Sequence, residues 1–155
     1  MYLKFMKYCI IVLIFIAILA TVLILPNFEV EYSITVVTRV HELPQQLLVA
    51  WRRALLSSLI WVVMVVLYGI VQKSEIEVLL VLTSILTAVT HYMYLQVLAS
   101  LGIHIVVLPL VYNVKKVWKI DLGQIALIVG LSLLAKVIWK VTRRRVTLGT
   151  SPQTP

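Results

Sequence analysis

The longest uncharged stretch of this chain covers residues 78–114, where 37 consecutive positions hold no Asp, Glu, Lys or Arg. As a single α-helix, this stretch would be about 55 Å long at a rise of about 1.5 Å per residue. The hydrocarbon core of a bilayer is only about 30 Å thick. One straight membrane span therefore cannot accommodate the stretch, and the helix has to end somewhere within it.

The overall composition indicates a membrane protein. The 155 residues are 62% hydrophobic and 13% charged, and their mean hydropathy is +1.06. Soluble domains contain about 45–50% apolar and about 25% charged residues, and a small domain cannot bury such a surplus in its own core. Because the apolar runs are long and unbroken, we expect helices rather than a barrel. The predicted fold is an all-α membrane protein, a small helical bundle.

Four transmembrane helices are predicted, at about residues 8–25, 54–71, 76–100 and 122–141. Together they form a single multi-pass domain over residues 1–145. The remaining tail, residues 146–155, is polar and contains two prolines, so we expect it to be disordered.

Short polar segments indicate where two of these helices begin. In "KSEIE", Ser74 precedes Glu77 by three residues, which is the spacing of a capping box. Asp121 and Gln124 repeat this spacing before the last span. A helix that begins directly after a short turn predicts that the second and third helices form an antiparallel hairpin.

The loop after the first helix contains "EVEYSITVV", residues 29–37, in which apolar and polar residues alternate. Alternation with many β-branched residues is typical of a β-strand. A lone strand is not stable, so this short β-prone loop would need a partner.

Two arrangements fit the uncharged stretch. In the first, one helix reaches about Ser100, Gly102 ends it, and "IHIVVLPLVY" is an interfacial or re-entrant segment. In the second, "THYMY" lies at the far interface and the chain has five spans. Four spans place eight of the 14 Lys and Arg residues on the side of both termini and six on the other. The positive-inside rule therefore favours four spans in the cell membrane with both termini in the cytoplasm.

Tryptophan and basic residues stand close to the predicted span ends, where such side chains anchor helices at headgroup level. We assign this role to Trp51, Arg52, Arg53, Trp118, Trp139, Arg143, Arg144 and Arg145. Topology and anionic lipid then account for the net charge of +8. We expect membrane lipids as partners and do not expect nucleic acid binding.

The acidic residues all lie at or outside the predicted membrane boundaries. Pumps and proton relays place ionisable residues at bilayer depth, and catalysis requires a nucleophile, an acid and base, or a metal cluster. The sequence contains no "HExxH", "GxSxG" or glycine-rich phosphate loop. We predict no catalytic site, no metal site and no cofactor, and a protein that is not an enzyme.

Two histidines, His91 and His104, lie in the uncharged stretch and are the candidate cofactor ligands of an alternative hypothesis, a b-type haem electron-transfer subunit. Their spacing covers about 20 Å of helix but rotates them about 140° apart. The only other histidine, His41, lies in a polar loop. We therefore favour an aromatic interfacial belt for His91 with Tyr92 and Tyr94, and a backbone hydrogen bond for His104.

The leading functional hypothesis is a non-catalytic structural or accessory subunit, packed against other membrane-protein subunits or copies of itself. Small residues four apart permit close helix approach, and three such pairs occur: Ala54 and Ser58, Ser84 and Ala88, Ala126 and Gly130. The hydroxyls of Thr83, Thr87 and Thr90 share one stripe of a helix, which we interpret as a source of interhelical hydrogen bonds.

A further alternative is a viral envelope or host-membrane protein whose basic C-terminal region contacts nucleic acid. The composition, rich in Ile, Val and Leu with a single cysteine, is compatible with an archaeal source.

Overall fold

The computed structural model describes residues 2–27, 44–114 and 116–149, and the side chains of 6–27, 44–114 and 116–139. Its four long helices are α1 (Tyr2–Ile24), α2 (Gln45–Val71), α3 (Ser74–Ser100) and α4 (Leu122–Gly149). All four contain a stretch that is long and apolar enough to cross a membrane. The prediction of four such helices is confirmed. The β-prone segment predicted after the first helix falls within 28–43, outside the described residues.

All four described helices are longer than the predicted spans. A 3-10 turn, Leu25–Asn27, continues α1. Helix α2 begins nine residues before the predicted start of its span at 54, and α4 continues to Gly149, which includes 146–149 of the predicted tail. Polar first and last turns explain the difference, because hydropathy predicts only the apolar middle of a helix that extends beyond the bilayer.

Helix α3 is the central element of the bundle. Its buried residues recur every three or four positions and include Leu80, Ser84, Thr87, His91 and Leu95. It packs against α2 and α4, whereas α1 buries only Ile11, Val22 and the adjoining Pro26 among its described side chains. Among the four candidate spans, α3 has the lowest mean hydropathy and the largest buried share.

A two-residue turn joins α2 to α3, so the predicted antiparallel hairpin is confirmed. Gln72 takes a left-handed conformation (φ 48°), and its N–H donates to the carbonyl of Tyr68. The capping box predicted at Ser74 and Glu77 is wrong, because the Ser74 hydroxyl donates to the Glu75 carboxylate at 3.1 Å and caps no backbone amide.

The uncharged stretch is broken by a small sheet, which corrects the all-α prediction. Helix α3 ends at Ser100, and Gly102 turns the chain at a positive φ of 75°. Strands β1 (Ile105–Leu108), β2 (Val111–Val114) and β3 (Val117–Ile120) then form an antiparallel meander in the order β1-β2-β3. The five-span alternative is wrong, because residues 90–94 lie inside α3.

Two-residue turns explain how this sheet folds in so short a segment. Leu108 pairs with Val111, which leaves Pro109 and Leu110 as the β1–β2 turn. Proline presets φ at the first turn position, and the φ of 65° at Leu110 fits the second position of a type II turn. The interfacial or re-entrant segment expected from 103–112 is therefore part of a hairpin.

The predicted small-residue pairs lie at helix contacts and are buried. The closest approach joins α3 to α4, where a Cβ atom added at Gly130 would lie 2.9 Å from the Cβ of Ser84. Nonbonded carbon atoms are at their optimal separation at about 3.5–4.0 Å. A larger residue at position 130 would therefore push the two helices apart.

We expect Gly130→Ala to lower the free energy of unfolding by about 1–3 kcal/mol, because the added methyl group overpacks the α3–α4 contact. Denaturation with sodium dodecyl sulfate, monitored by circular dichroism, measures this change. Gly69→Ala in α2 is the matched control: nothing lies within 4 Å of its added Cβ, and alanine favours a helix over glycine by about 1 kcal/mol. Equal stability of the two variants would contradict the close contact.

Candidate functional site

A buried carboxylate lies where the sheet meets the last helix. Asp121 follows β3 directly, and its side chain is fully buried. Its Oδ1 accepts a hydrogen bond from the backbone N–H of Gln124 at 2.9 Å, and its Oδ2 accepts one from the Gln124 side chain at 3.0 Å. The predicted capping box is confirmed in its first half only. The Gln124 side chain binds the carboxylate of Asp121 and not its backbone N–H.

Gln124 also fixes the β1–β2 turn on α4. Its Nε2 donates to the carbonyl of Leu108 at 3.0 Å, and its Oε1 accepts from the N–H of Leu110 at 2.8 Å. The Asp121 N–H donates to the carbonyl of Leu110 at 2.9 Å. These bonds hold Leu110 in the left-handed conformation, which non-glycine residues seldom adopt. The turn and the start of α4 therefore form one hydrogen-bonded unit.

His91 of α3 completes this arrangement. Its side chain is only 8% exposed, and its Nε2 lies 3.3 Å from Oδ1 of Asp121. Its ring meets Tyr112 of β2 edge to face, with ring centroids 5.5 Å apart. The α4 backbone is so close that a Cβ added at Gly123 would lie 2.8 Å from the Cδ2 of His91. We call His91, Tyr112, Asp121, Gly123 and Gln124 the polar junction.

The chemistry of the polar junction fits a structural contact that joins α3, α4 and the sheet. A histidine beside a carboxylate forms an ion pair when its imidazole is protonated. Burial raises the pKa of the Tyr112 phenol, and Tyr94 and Asp121 raise it further, so this hydroxyl stays neutral at physiological pH. The described residues include no group of three or more His, Cys, Asp or Glu side chains that could hold a metal ion.

The two histidines predicted as cofactor ligands lie in different surroundings. His91 is buried in the polar junction and meets Tyr92 edge to face with centroids 5.8 Å apart. His104 is exposed and lies between Gly102 and β1. A haem-ligand role for either remains a prediction. Sequence reasoning missed the pairing of His91 with Asp121, because the contact spans 30 residues and depends on an unpredicted sheet.

Hydroxyl groups on α3 also join it to α2. Ser57 and Thr90 share a hydrogen bond at 2.6 Å, and the Thr87 hydroxyl donates to the backbone carbonyl of Ser57 at 3.1 Å. Trp61 donates to the hydroxyl of Ser84 at 2.9 Å. The predicted interhelical role is confirmed for Thr87 and Thr90. The third predicted residue, Thr83, donates to carbonyls of its own helix.

Ion pairs place the beginning of α1 and the second half of α4 at the same end of the bundle. Lys7 lies 3.1 Å from Glu75, and Lys136 lies 3.3 Å from Glu77. Both glutamates are in the first turn of α3. Lys136 also donates to the Tyr68 hydroxyl at 2.8 Å. The first and last helices therefore run in opposite directions.

The predicted interfacial anchors fall into two groups. Trp51, Trp118 and Trp139 are 47%, 56% and 63% exposed. Arg52 and Arg53 bind the end of α1: Arg52 donates to the Pro26 carbonyl at 3.5 Å, and Arg53 donates to the Leu23 carbonyl at 3.2 Å. The side chains of Arg143, Arg144 and Arg145 lie outside the described ones. Anchoring at headgroup level remains a prediction for all eight residues.

Comparison with known proteins adds no assignment, because no protein-family model, curated protein or solved structure matches this chain.

We expect Asp121→Ala to destabilise the protein by about 1–3 kcal/mol, because it removes the cap of α4 and the carboxylate that accepts the Gln124 side chain. Asp121→Asn is the matched variant. Its amide oxygen can still accept a hydrogen bond from the Gln124 N–H, so this variant should lose less stability. Denaturation measures both changes, and hydrogen exchange should show faster exchange at the Leu110 amide in the alanine variant. An unchanged exchange rate at the Leu110 amide would show that the β1–β2 turn does not depend on the Asp121 carboxylate.

Proposed function

We propose that this protein is a non-catalytic subunit of a membrane assembly, which acts by packing against other membrane proteins. The observation that carries the proposal is the use of its interior polar groups. Among the described side chains, the buried polar atoms bind one another or the backbone, with three exceptions: Arg53 Nε, Glu77 Oε1 and His91 Nε2. Two of the three lie close to an ionisable side chain: Glu77 Oε1 lies 3.3 Å from Lys136 Nζ, and His91 Nε2 lies 3.3 Å from Asp121 Oδ1.

The pair of His91 and Asp121, buried among the described residues, supports the same proposal. An intramembrane charge is ordinarily a functional-site hypothesis. In this chain, however, Asp121 caps α4, and its helix-capping partner Gln124 holds the β1–β2 turn. The pair is therefore engaged in holding α3, α4 and the sheet in register, which suits a rigid packing unit.

Helix α1 offers the surface on which a partner helix would pack. Its side-chain hydrogen bonds to the bundle among the described residues lie near its two ends, through Lys7 to Glu75 at one end and Arg53 to the Leu23 carbonyl at the other, while Ile11 packs into the core. Between them, α1 exposes large aliphatic side chains, and Leu13 is 65% exposed. Helices associate in lipid through close van der Waals packing of such surfaces.

The mass of the purified complex tests this proposal. After extraction from the membranes of the source cells in mild detergent, we expect a defined complex heavier than the 17.6 kDa chain. Leu13→Trp should reduce its yield, because the indole is compatible with lipid but not with a closely packed helix. Val63→Trp on α2, at a residue 57% exposed, is the matched control. A wild-type protein that is purely monomeric would overturn the proposal.

We further propose that this subunit lies in the cell membrane with both termini in the cytoplasm. The supporting observations are the shared bundle end of Lys7 and Lys136 and the excess of basic residues on the side of the termini. Reporters fused before Met1 and after Pro155 should both be active as cytoplasmic fusions. Activity of the two reporters on opposite sides would contradict an even number of spans, and a shared outside location would reverse the orientation.

A further inference from the structure

The sheet has one face toward the bundle and one face away from it. On the inner face, Tyr112 is buried against Leu47, Leu95 and Leu98, with Val114 beside it. Because side chains alternate along a strand, the opposite face carries Val106, Leu108, Val111, Asn113, Trp118 and Ile120, and the strand register brings these residues side by side. We call this set the outer sheet face.

The outer sheet face is apolar although it is exposed. Val106 is 39% exposed, Leu108 44%, Trp118 56% and Ile120 65%, and Asn113 is the only polar member of the set. An antiparallel sheet with one face in water normally alternates apolar residues inside with polar residues outside. The outer sheet face therefore lacks the pattern of a surface in contact with bulk water.

The position of the sheet indicates what covers this face. Strand β1 begins five residues after α3 ends, and α4 begins two residues after β3 ends, so the sheet lies directly on the ends of two membrane-spanning helices. The exposed Trp51 lies one turn along α2 from Leu47, which packs against the sheet's inner face. Exposed tryptophans at the ends of spans are typical of the headgroup level.

Positive charge lies at the edge of the sheet. The turn between β2 and β3 and the edge strand β3 carry the sequence "KKVWK", and Lys116 and Lys119 are exposed. Lys119 pairs with Tyr112 and so leaves the edge strand on the inner face, from where its long side chain can reach around the edge. The nearest acid in the sequence, Asp121, is buried in the polar junction. A lysine near an anionic membrane surface contributes about 1 kcal/mol of attraction, and its aliphatic stem can lie along apolar surface while the ammonium group reaches a phosphate.

We propose that the outer sheet face lies in the headgroup layer of the bilayer, with Trp118 and Ile120 inserted among the lipids and Lys116 and Lys119 bound to the phosphates of anionic phospholipids. The sheet is then a lipid-binding surface that distinguishes anionic from zwitterionic headgroups. This site is independent of the proposed packing function, because it uses neither α1 nor a protein partner.

Fluorescence of Trp118 tests the insertion. In a variant with Trp51, Trp61 and Trp139 changed to Phe, the protein is placed in nanodiscs that contain brominated lipids. We expect a blue-shifted Trp118 emission that the bromine quenches and that aqueous iodide does not. Quenching by iodide alone would show contact with water, and protection from both quenchers would show contact with protein. Either result overturns the proposal.

A spin label gives a second measurement in case the loss of the Trp61 hydrogen bond to Ser84 impairs folding. In a Cys9→Ser background with all four tryptophans retained, a label at Ile120→Cys should be accessible to oxygen and protected from an aqueous nickel complex. A label at Lys116→Cys is the matched control and should be more accessible to nickel. Equal nickel accessibility at the two positions would overturn the insertion.

The headgroup preference is tested with Lys116→Gln and Lys119→Gln. In nanodiscs that mix phosphatidylglycerol with phosphatidylcholine, native mass spectrometry should show retained phosphatidylglycerol on the wild-type protein. Each substitution should lower this preference about fivefold, the equivalent of about 1 kcal/mol per lysine. Lys73→Gln, in the turn at the other end of α3, is the control. A preference unchanged by both substitutions at the sheet, or equally reduced by the control, overturns the assignment of the lysines.

Discussion

The order of the bundle at its sheet end depends on the buried carboxylate of Asp121. Burial of a charge costs several kcal/mol unless it is paired and hydrogen-bonded. The partners of Asp121 are the backbone and side chain of Gln124 on α4 and the imidazole of His91 on α3. Both hydrogen bonds come from the first turn of α4, and the imidazole adds a contact from α3, so the carboxylate has all of these partners only when α3 lies against α4. Apolar contacts alone would discriminate less sharply between this packing and alternative packings of the same elements.

The helices were predictable because their apolar composition indicates that lipid surrounds them. Long apolar runs predict spans, and the short polar segment around Lys73 predicts the hairpin of α2 and α3. The small residues at Ser84 and Gly130 and the hydroxyls at Thr87 and Thr90 also indicated contacts that the structure contains. In lipid, close approach and hydrogen bonds replace the hydrophobic effect between helices, so their residue types are informative without knowledge of the partner.

The sheet and the polar junction were not predictable in the same way. Residues 103–112 are almost uniformly apolar, so the alternation that reveals a half-buried strand is absent, although β-branched residues and Pro109 were available signals. The capping box at Ser74 failed because spacing says nothing of competing partners: the Glu77 carboxylate lies 3.3 Å from Lys136, which is 59 residues away. The pairing of His91 with Asp121 likewise depends on tertiary structure and leaves no local pattern in the sequence.

The same physics supports the proposal that a partner helix engages α1. Lipid is as apolar as an aliphatic side chain, so exposed Leu and Ile residues do not by themselves hold a helix on the bundle. Helices α2, α3 and α4 have buried hydrogen bonds or close backbone contacts. The ties of α1 that involve Lys7 and Arg53 are exposed, and exposed ion pairs contribute little to stability. A partner helix that packs closely on α1 would therefore replace lipid without breaking any buried hydrogen bond of the bundle.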